Sequence, residues 1–72
     1  MALSIELLQA DGTGDPTILR HIPAGEMSLQ AASAVARTAY DTDQLGLAHL
    51  IPDGYRIRNV AGHVVAFFWV KR

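Results

Sequence analysis

Three histidines are the side chains in this sequence that are best suited to metal binding or proton transfer. They are His21, His49 and His63, and they are widely separated along the chain. Local zinc motifs place their ligands only a few residues apart, and the chain has no cysteine to complete such a set. No serine or threonine lies in a recognisable pattern with a histidine and a carboxylate. We therefore predict surface or turn positions for the histidines, and no catalytic, cofactor-binding or metal site.

Residues 11–15 (DGTGD) have the composition of a calcium or phosphate loop. A calcium loop needs several oxygen ligands at regular intervals and a closing bidentate carboxylate, whereas this segment has two carboxylates without that spacing. A phosphate loop needs a lysine and a helix that begins at the loop, and neither follows here. Pro16 comes directly after the segment, so we predict a plain turn between two strands.

Arginines next to an apolar segment are the remaining candidates for a binding function. Residues 64–70 (VVAFFWV) are apolar throughout, and Arg56 and Arg58 lie in the segment before them. Arginine beside aromatic side chains is typical of protein interface cores. The same arrangement also fits arginine stems that shield apolar side chains from water, a small-molecule groove, or a platform that stacks nucleic-acid bases.

The elements that position these residues follow from the hydrophobic pattern. Residues 3–7 alternate apolar and polar, so Leu3, Ile5 and Leu7 should face the core from a half-buried strand. Residues 17–22 predict a second strand with Ile18 and Ile22 on one side. The two strands should form a hairpin around the loop at residues 11–16.

A helix is predicted to follow, with Ser28 as its N-cap and its end near Tyr40. Its inward face carries mostly small side chains: Leu29, Ala32, Val35, Ala36, Ala39 and Tyr40. Residues 41–43 interrupt this pattern. Residues 43–50 fit either a short second helix capped by Asp43 or an extended connector, and residues 52–54 (PDG) predict a turn.

Residues 55–60 and 63–70 are the strongest strand candidates and predict a C-terminal hairpin. A three-residue loop with Gly62 in the left-handed region and a bulge is one register. It places Arg56 and Arg58 beside Val64, Ala66 and Phe68. A two-residue loop of Ala61 and Gly62 is the alternative, and it places the arginines beside Val65, Phe67 and Trp69.

These elements predict a single α+β domain over residues 1–72, in the order β-β-α-β-β. Its four-stranded antiparallel sheet should carry one main helix on one face. The last strand is apolar on both sides, and one helix covers only one of them. Large exposed apolar patches usually mark contact sites. We therefore predict a non-enzymatic interaction module that forms a homodimer through the open sheet face or the C-terminal strand. The expected interface residues are Arg56, Arg58, Val64, Phe68 and Val70.

The alternative hypothesis is a nucleic-acid-binding regulator that uses Arg56, Arg58 and the aromatic side chains of the sheet. A net charge of −1 does not favour it.

We expect the partner to be a second copy of the chain or another protein, and we expect no cofactor. The N-terminal residues do not have the pattern of a signal peptide. The apolar run at residues 64–70 is far shorter than a membrane-spanning helix, which needs about 20 apolar residues. We therefore expect a cytoplasmic protein without membrane contact.

Overall fold

The computed structural model describes residues 2–10, 12, 14–46 and 51–70. These residues form the elements β1 (Leu3–Gln9), β2 (Thr17–Gly25), α1 (Leu29–Asp43), β3 (Gly54–Asn59) and β4 (Val64–Trp69). The strands pair antiparallel in the order β2-β1-β3-β4. The predicted α+β fold, with one helix packed on a four-stranded antiparallel sheet, is confirmed.

The core lies between α1 and one face of the sheet. Leu3, Ile5 and Leu7 are buried, as their alternation predicts. The central cluster consists of Leu3, Ile5, Ala24, Ala32, Ala36 and Ile57. Because the helix contributes alanines to this cluster, its axis can lie close to the sheet. Ile5 and Ile57 face each other across β1 and β3 and are fully buried, so they supply much of the packed volume.

The helix begins where the sequence predicts but ends later. The side chain of Ser28 accepts a hydrogen bond from the amide of Ala31 at 3.1 Å, which confirms the N-cap. The helix continues to Asp43, so the expected interruption at residues 41–43 is wrong. Asp41 pairs with Arg37 one turn earlier at 3.4 Å, and such pairs support a helix. Residues 44–46 form a turn, and the rest of the candidate second helix, residues 47–50, lies outside the described residues.

A register shift in the first hairpin changes the facing of its second strand. Leu7 lies opposite Arg20, but Leu8 lies opposite Ile18, so one residue of β2 is skipped. A shift of one residue moves a side chain to the opposite face of the sheet. Ile22 packs against the core, whereas Ile18 is 46% exposed. The expectation that Ile18 and Ile22 share one side is therefore wrong.

Asp53 connects the ends of three strands. Its amide donates to the carbonyl of Leu8 at 2.7 Å, and its own carbonyl accepts from the amide of Val70 at 2.8 Å. Its carboxylate accepts from the amide of Ala10 at 2.8 Å. Asp53 is itself buried. The turn at residues 52–54 therefore clamps the ends of β1, β3 and β4 together.

Replacing Asp53 with alanine should lower the free energy of unfolding by about 2 kcal/mol, because the amide of Ala10 loses the charged acceptor of a partly buried hydrogen bond. Asp53→Asn keeps a side-chain oxygen at the same place, so it should lower the free energy of unfolding by clearly less than Asp53→Ala. Urea unfolding of the two variants at one protein concentration measures both effects. Equal stability of the two variants would show that the side-chain oxygen does not matter.

Candidate functional site

The turn of the C-terminal hairpin is the predicted three-residue loop. Gly62 has a φ of 85°, which is the left-handed region that favours glycine. The side-chain oxygen of Asn59 accepts from the amides of Ala61 and His63, each at 3.0 Å. Asparagine and glycine at these positions therefore account for the local conformation of the turn.

A bulge directly after this turn exchanges the two faces of β4. The pairing skips Val65, and beyond it Arg56 lies opposite Phe67, as in the two-residue register. One extra residue in a strand has this effect because side chains alternate between faces. Arg56 therefore shares the open face, away from α1, with Phe67 and Trp69. The expectation that Phe68 lies beside the arginines is wrong.

Phe68 belongs to an aromatic cluster on the helix side of the sheet. Its ring centroid lies 5.3 Å from those of Tyr40 and Tyr55, at interplanar angles of 63° and 65°. Edge-to-face contacts of this kind are favourable for aromatic rings. The guanidinium of Arg37 lies 5.0 Å from the Phe68 centroid. Phe68 therefore helps to attach α1 to the sheet.

Phe67 and Trp69 form the exposed aromatic pair of the open face. Their ring centroids are 6.0 Å apart and their planes differ by 13°. Phe67 is 61% exposed and Trp69 is 37% exposed. Trp69 lies opposite Gly54, and the absent side chain of Gly54 leaves space for the indole against β3. Trp69 is thus held from one side, while Phe67 points into solvent.

The other predicted interface residues lie on or beside the same region. Val64 lies opposite Arg58 and is 47% exposed, and Val70 is half-buried directly after the end of β4. The structure therefore brings Arg56, Arg58 and Val64 together on the open side. It adds Phe67, Trp69 and Val65 to the exposed surface and removes Phe68 from it.

Glu6 of β1 holds both arginines. Its Oε1 accepts from Nε of Arg56 and, at 3.0 Å, from Nε of Arg58. Arg58 also donates from Nη1 to the carbonyl of Gly62 at 2.8 Å. The Glu6 side chain is only 12% exposed and that of Arg56 18%, so this pair is largely shielded from solvent, whereas Arg58 is 34% exposed. Part of the arginine charge is therefore neutralised within the sheet.

The pKa of Glu6 reflects this environment. Burial alone would raise it, but the hydrogen bonds and positive charges of Arg56 and Arg58 outweigh burial and hold the pKa of Glu6 below 4.5. A carboxyl group with a lowered folded-state pKa stabilises the fold above its unfolded-state pKa. It loses that contribution as the pH falls through the folded-state value.

Acid should therefore destabilise the wild-type chain partly through Glu6. Between about pH 6 and about pH 3, we expect Glu6→Gln to lose less unfolding free energy than the wild type, because the amide does not titrate. Urea unfolding at several pH values measures this difference in slope. Parallel curves for the two proteins would show that Glu6 has the same pKa in the folded and unfolded states.

The open face also carries a cavity of about 520 Å³ beside the loop between β1 and β2. Phe67 and Trp69 form part of its wall, and Arg56 and Asp15 are its charged lining residues in the part of the chain that the structure describes. Its volume is within the range of small-molecule sites. However, Nε of Arg56 already donates to Glu6, so the cavity mainly extends the apolar surface around the aromatic pair.

The two edges of the sheet differ in how they meet solvent. β2 carries Pro23, which has no amide hydrogen, and the exposed Arg20 and His21. It also has two register shifts against β1. Charge, proline and irregularity are the features that protect an edge strand from further pairing. β4 (VVAFFW) contains neither a charged residue nor proline, and its one register shift lies at Val65, near its start. No described residue pairs with its outer edge.

The three histidines are the residues that the sequence offers as metal ligands. His21 and His63 occupy exposed positions on β2 and at the hairpin turn, and His49 lies outside the described residues. Over residues 2–10, 12, 14–46 and 51–70, no group of three metal-binding side chains comes together.

In the same ranges, no helix has both the length and the apolar composition needed to cross a membrane.

Comparisons of the chain with protein-family models, with curated proteins and with solved structures found no match, so its function has to be inferred from the geometry of the open face and of β4.

Proposed function

We propose that this chain is a non-enzymatic interaction module that forms a homodimer through the edge of β4. One observation carries the proposal: an entirely apolar strand lies at the edge of the sheet. Its exposed side chains are Val64, Val65, Phe67 and Trp69. An edge strand of this kind is a template for the addition of another strand.

A second copy suits this edge for reasons of charge and size. In a symmetric pair, each strand meets its own sequence, so a charged residue near the axis would face a like charge. β4 has no charged residue. A chain of 72 residues without cysteine also has a small core, and domains of this size commonly gain stability by association.

The nucleic-acid alternative has weaker support from the same face. Glu6 engages both Arg56 and Arg58, which reduces the positive charge that a phosphate backbone would meet. The aromatic pair remains exposed, but the protein has a net charge of −1. Protein contact fits this combination better than binding to a polyanion.

The homodimer is tested by the solution mass of the wild type and of two matched variants, measured by light scattering across a concentration series. Phe67→Lys places a charge on the outer part of β4, and Ile18→Lys places one at an exposed apolar position of β2. We expect a dimer for the wild type and for Ile18→Lys, and a monomer for Phe67→Lys. Because Phe67 is 61% exposed, its replacement should cost the fold about 1 kcal/mol or less, which circular dichroism can check.

Two results would contradict this proposal. The first is a wild-type chain whose mass is that of a monomer at every concentration at which it is soluble. A lysine at Ile18 that dissociates the dimer as well as a lysine at Phe67 would move the contact from the β4 edge to the whole open face.

A further inference from the structure

We propose that the two copies of β4 pair antiparallel about a two-fold axis at Phe68, with Phe67 of each copy opposite Trp69 of the other. This register rests on the proposed homodimer and specifies which residues meet. It would join the two sheets into one continuous sheet. The axis is perpendicular to that sheet, so both helices lie on the same side of it.

The direction of the backbone groups along β4 determines which residues are available for pairing. The amide of Val70 donates to the carbonyl of Asp53 at 2.8 Å, so the backbone N–H and C=O of Val70 point towards β3. In an antiparallel strand, the backbone groups of successive residues point alternately to the two neighbouring strands. Phe68 therefore also faces β3, and the N–H and C=O groups of Phe67 and Trp69 point to the outer edge. When Phe67 lies opposite Trp69 of the second copy, all of these groups gain a partner.

The bulge in β4 separates this register from its nearest rival. An axis at Phe67 would place Trp69 opposite Val65 of the second copy. Val65 is the residue that the pairing with β3 skips, and a bulge disrupts the regular direction of the backbone groups around it. An axis at Phe68 uses only the regular part of the strand and leaves the bulge outside the contact.

The side chains support the same register. Phe67 and Trp69 both lie on the open face, so this pairing would bring the aromatic rings of both copies into one patch. Aromatic cross-strand pairs are among the favourable contacts in sheets. Phe67, which is 61% exposed in the single chain, would be covered by the indole of the second copy. The aromatic pair and the free backbone groups thus favour one arrangement.

Introduced cysteines can test the register, because the chain has none of its own. With the axis at Phe68, Ala66 of one copy lies opposite Val70 of the other. Both side chains are small, and both substitutions leave the aromatic residues in place. We expect a mixture of Ala66→Cys and Val70→Cys proteins to form a covalent heterodimer on mild oxidation. A dimer of either variant alone should stay non-covalent, because the Cα atoms of the two introduced cysteines would be about 13 Å apart along the strand, beyond the about 7 Å Cα separation that a disulfide can bridge.

Phe67→Cys is the matched control for the rival register. With the axis at Phe68, this variant should not cross-link to itself; efficient self-cross-linking would place the axis at Phe67 and overturn the proposed register, while the homodimer stands. A mixture of Ala66→Cys and Val70→Cys that is dimeric by mass but forms no heterodimer would overturn the register as well. A monomeric wild type would overturn the register and the homodimer together.

Hydrogen exchange of the wild type gives a measurement that needs no substitution. The amides of Phe67 and Trp69 should exchange more slowly as the protein concentration rises, since the second copy would accept their hydrogen bonds. Exchange rates at these two amides that stay constant over the concentration range in which the mass changes from monomer to dimer would rule out pairing at this edge.

Discussion

Replacing Gly54 with alanine should remove most of the free energy of unfolding at room temperature. A Cβ at Gly54 would overlap the carbonyl oxygen of Phe68 and lie 2.8 Å from Cε3 of Trp69. The first of these atoms belongs to the backbone of β4, so it can move only if β3 and β4 separate. Overpacking usually costs about 1–3 kcal/mol when side chains can adjust, and here we expect about 3 kcal/mol or more. A core of this size rarely supplies more than about 3–5 kcal/mol in total.

Gly46→Ala is the matched control for this prediction. Gly46 has no unusual φ, and the nearest atom to a Cβ there is the Asp43 carbonyl oxygen at 3.2 Å. Its replacement should change the free energy of unfolding by about 1 kcal/mol or less. Circular dichroism with urea unfolding compares the two variants at one protein concentration, because association shifts the apparent stability. If Gly54→Ala unfolds at the same urea concentration as Gly46→Ala, Trp69 does not pack against β3 as described.

The second large effect is expected for Ile57→Ala, which should lower the free energy of unfolding by about 3–4 kcal/mol. Ile57 is fully buried and lies between Ile5 of β1 and Ala66 of β4. Its neighbours across the strands and in α1 are held by the sheet and by the helix backbone, so they cannot collapse into the space that the missing atoms leave.

A graded series makes the Ile57 prediction specific. Ile57→Val removes one methylene and should cost about 1 kcal/mol, and Val60→Ala, at a position 84% exposed, should stay within about 0.5 kcal/mol of the wild type. Urea unfolding at one concentration measures all of these variants. Equal losses for Ile57→Ala and Val60→Ala would mean that Ile57 is not part of a packed core.

The sequence predicts the elements of this fold well because their signals are local. The alternation of residues 3–7, the cap at Ser28 and the turn at Gly62 each depend on a few neighbouring residues, and all were confirmed. The predicted end of the helix, near Tyr40, is wrong because Asp41 and Asp43 are residues that commonly interrupt a helix. Each has an arginine partner, Arg37 and Arg20, that is compatible with the helical conformation.

The site was harder to predict because it depends on a single skipped residue. The bulge at Val65 decides whether Phe67 or Phe68 shares a face with the arginines, and both registers fit the same turn residues. Glu6 was missed for a different reason. Its contact with Arg56 exists only because β1 lies beside β3, and strand order is a long-range property that local patterns do not specify.

The unequal edges of the sheet have a consequence for assembly size. A sheet that accepted strands at both β2 and β4 could add copies without limit and grow into a fibre. Pro23 and the register shifts of β2 disfavour strand addition at that edge. In the proposed homodimer, each copy would therefore use its single pairing edge, β4, and a third copy would find none, so assembly would stop at two copies.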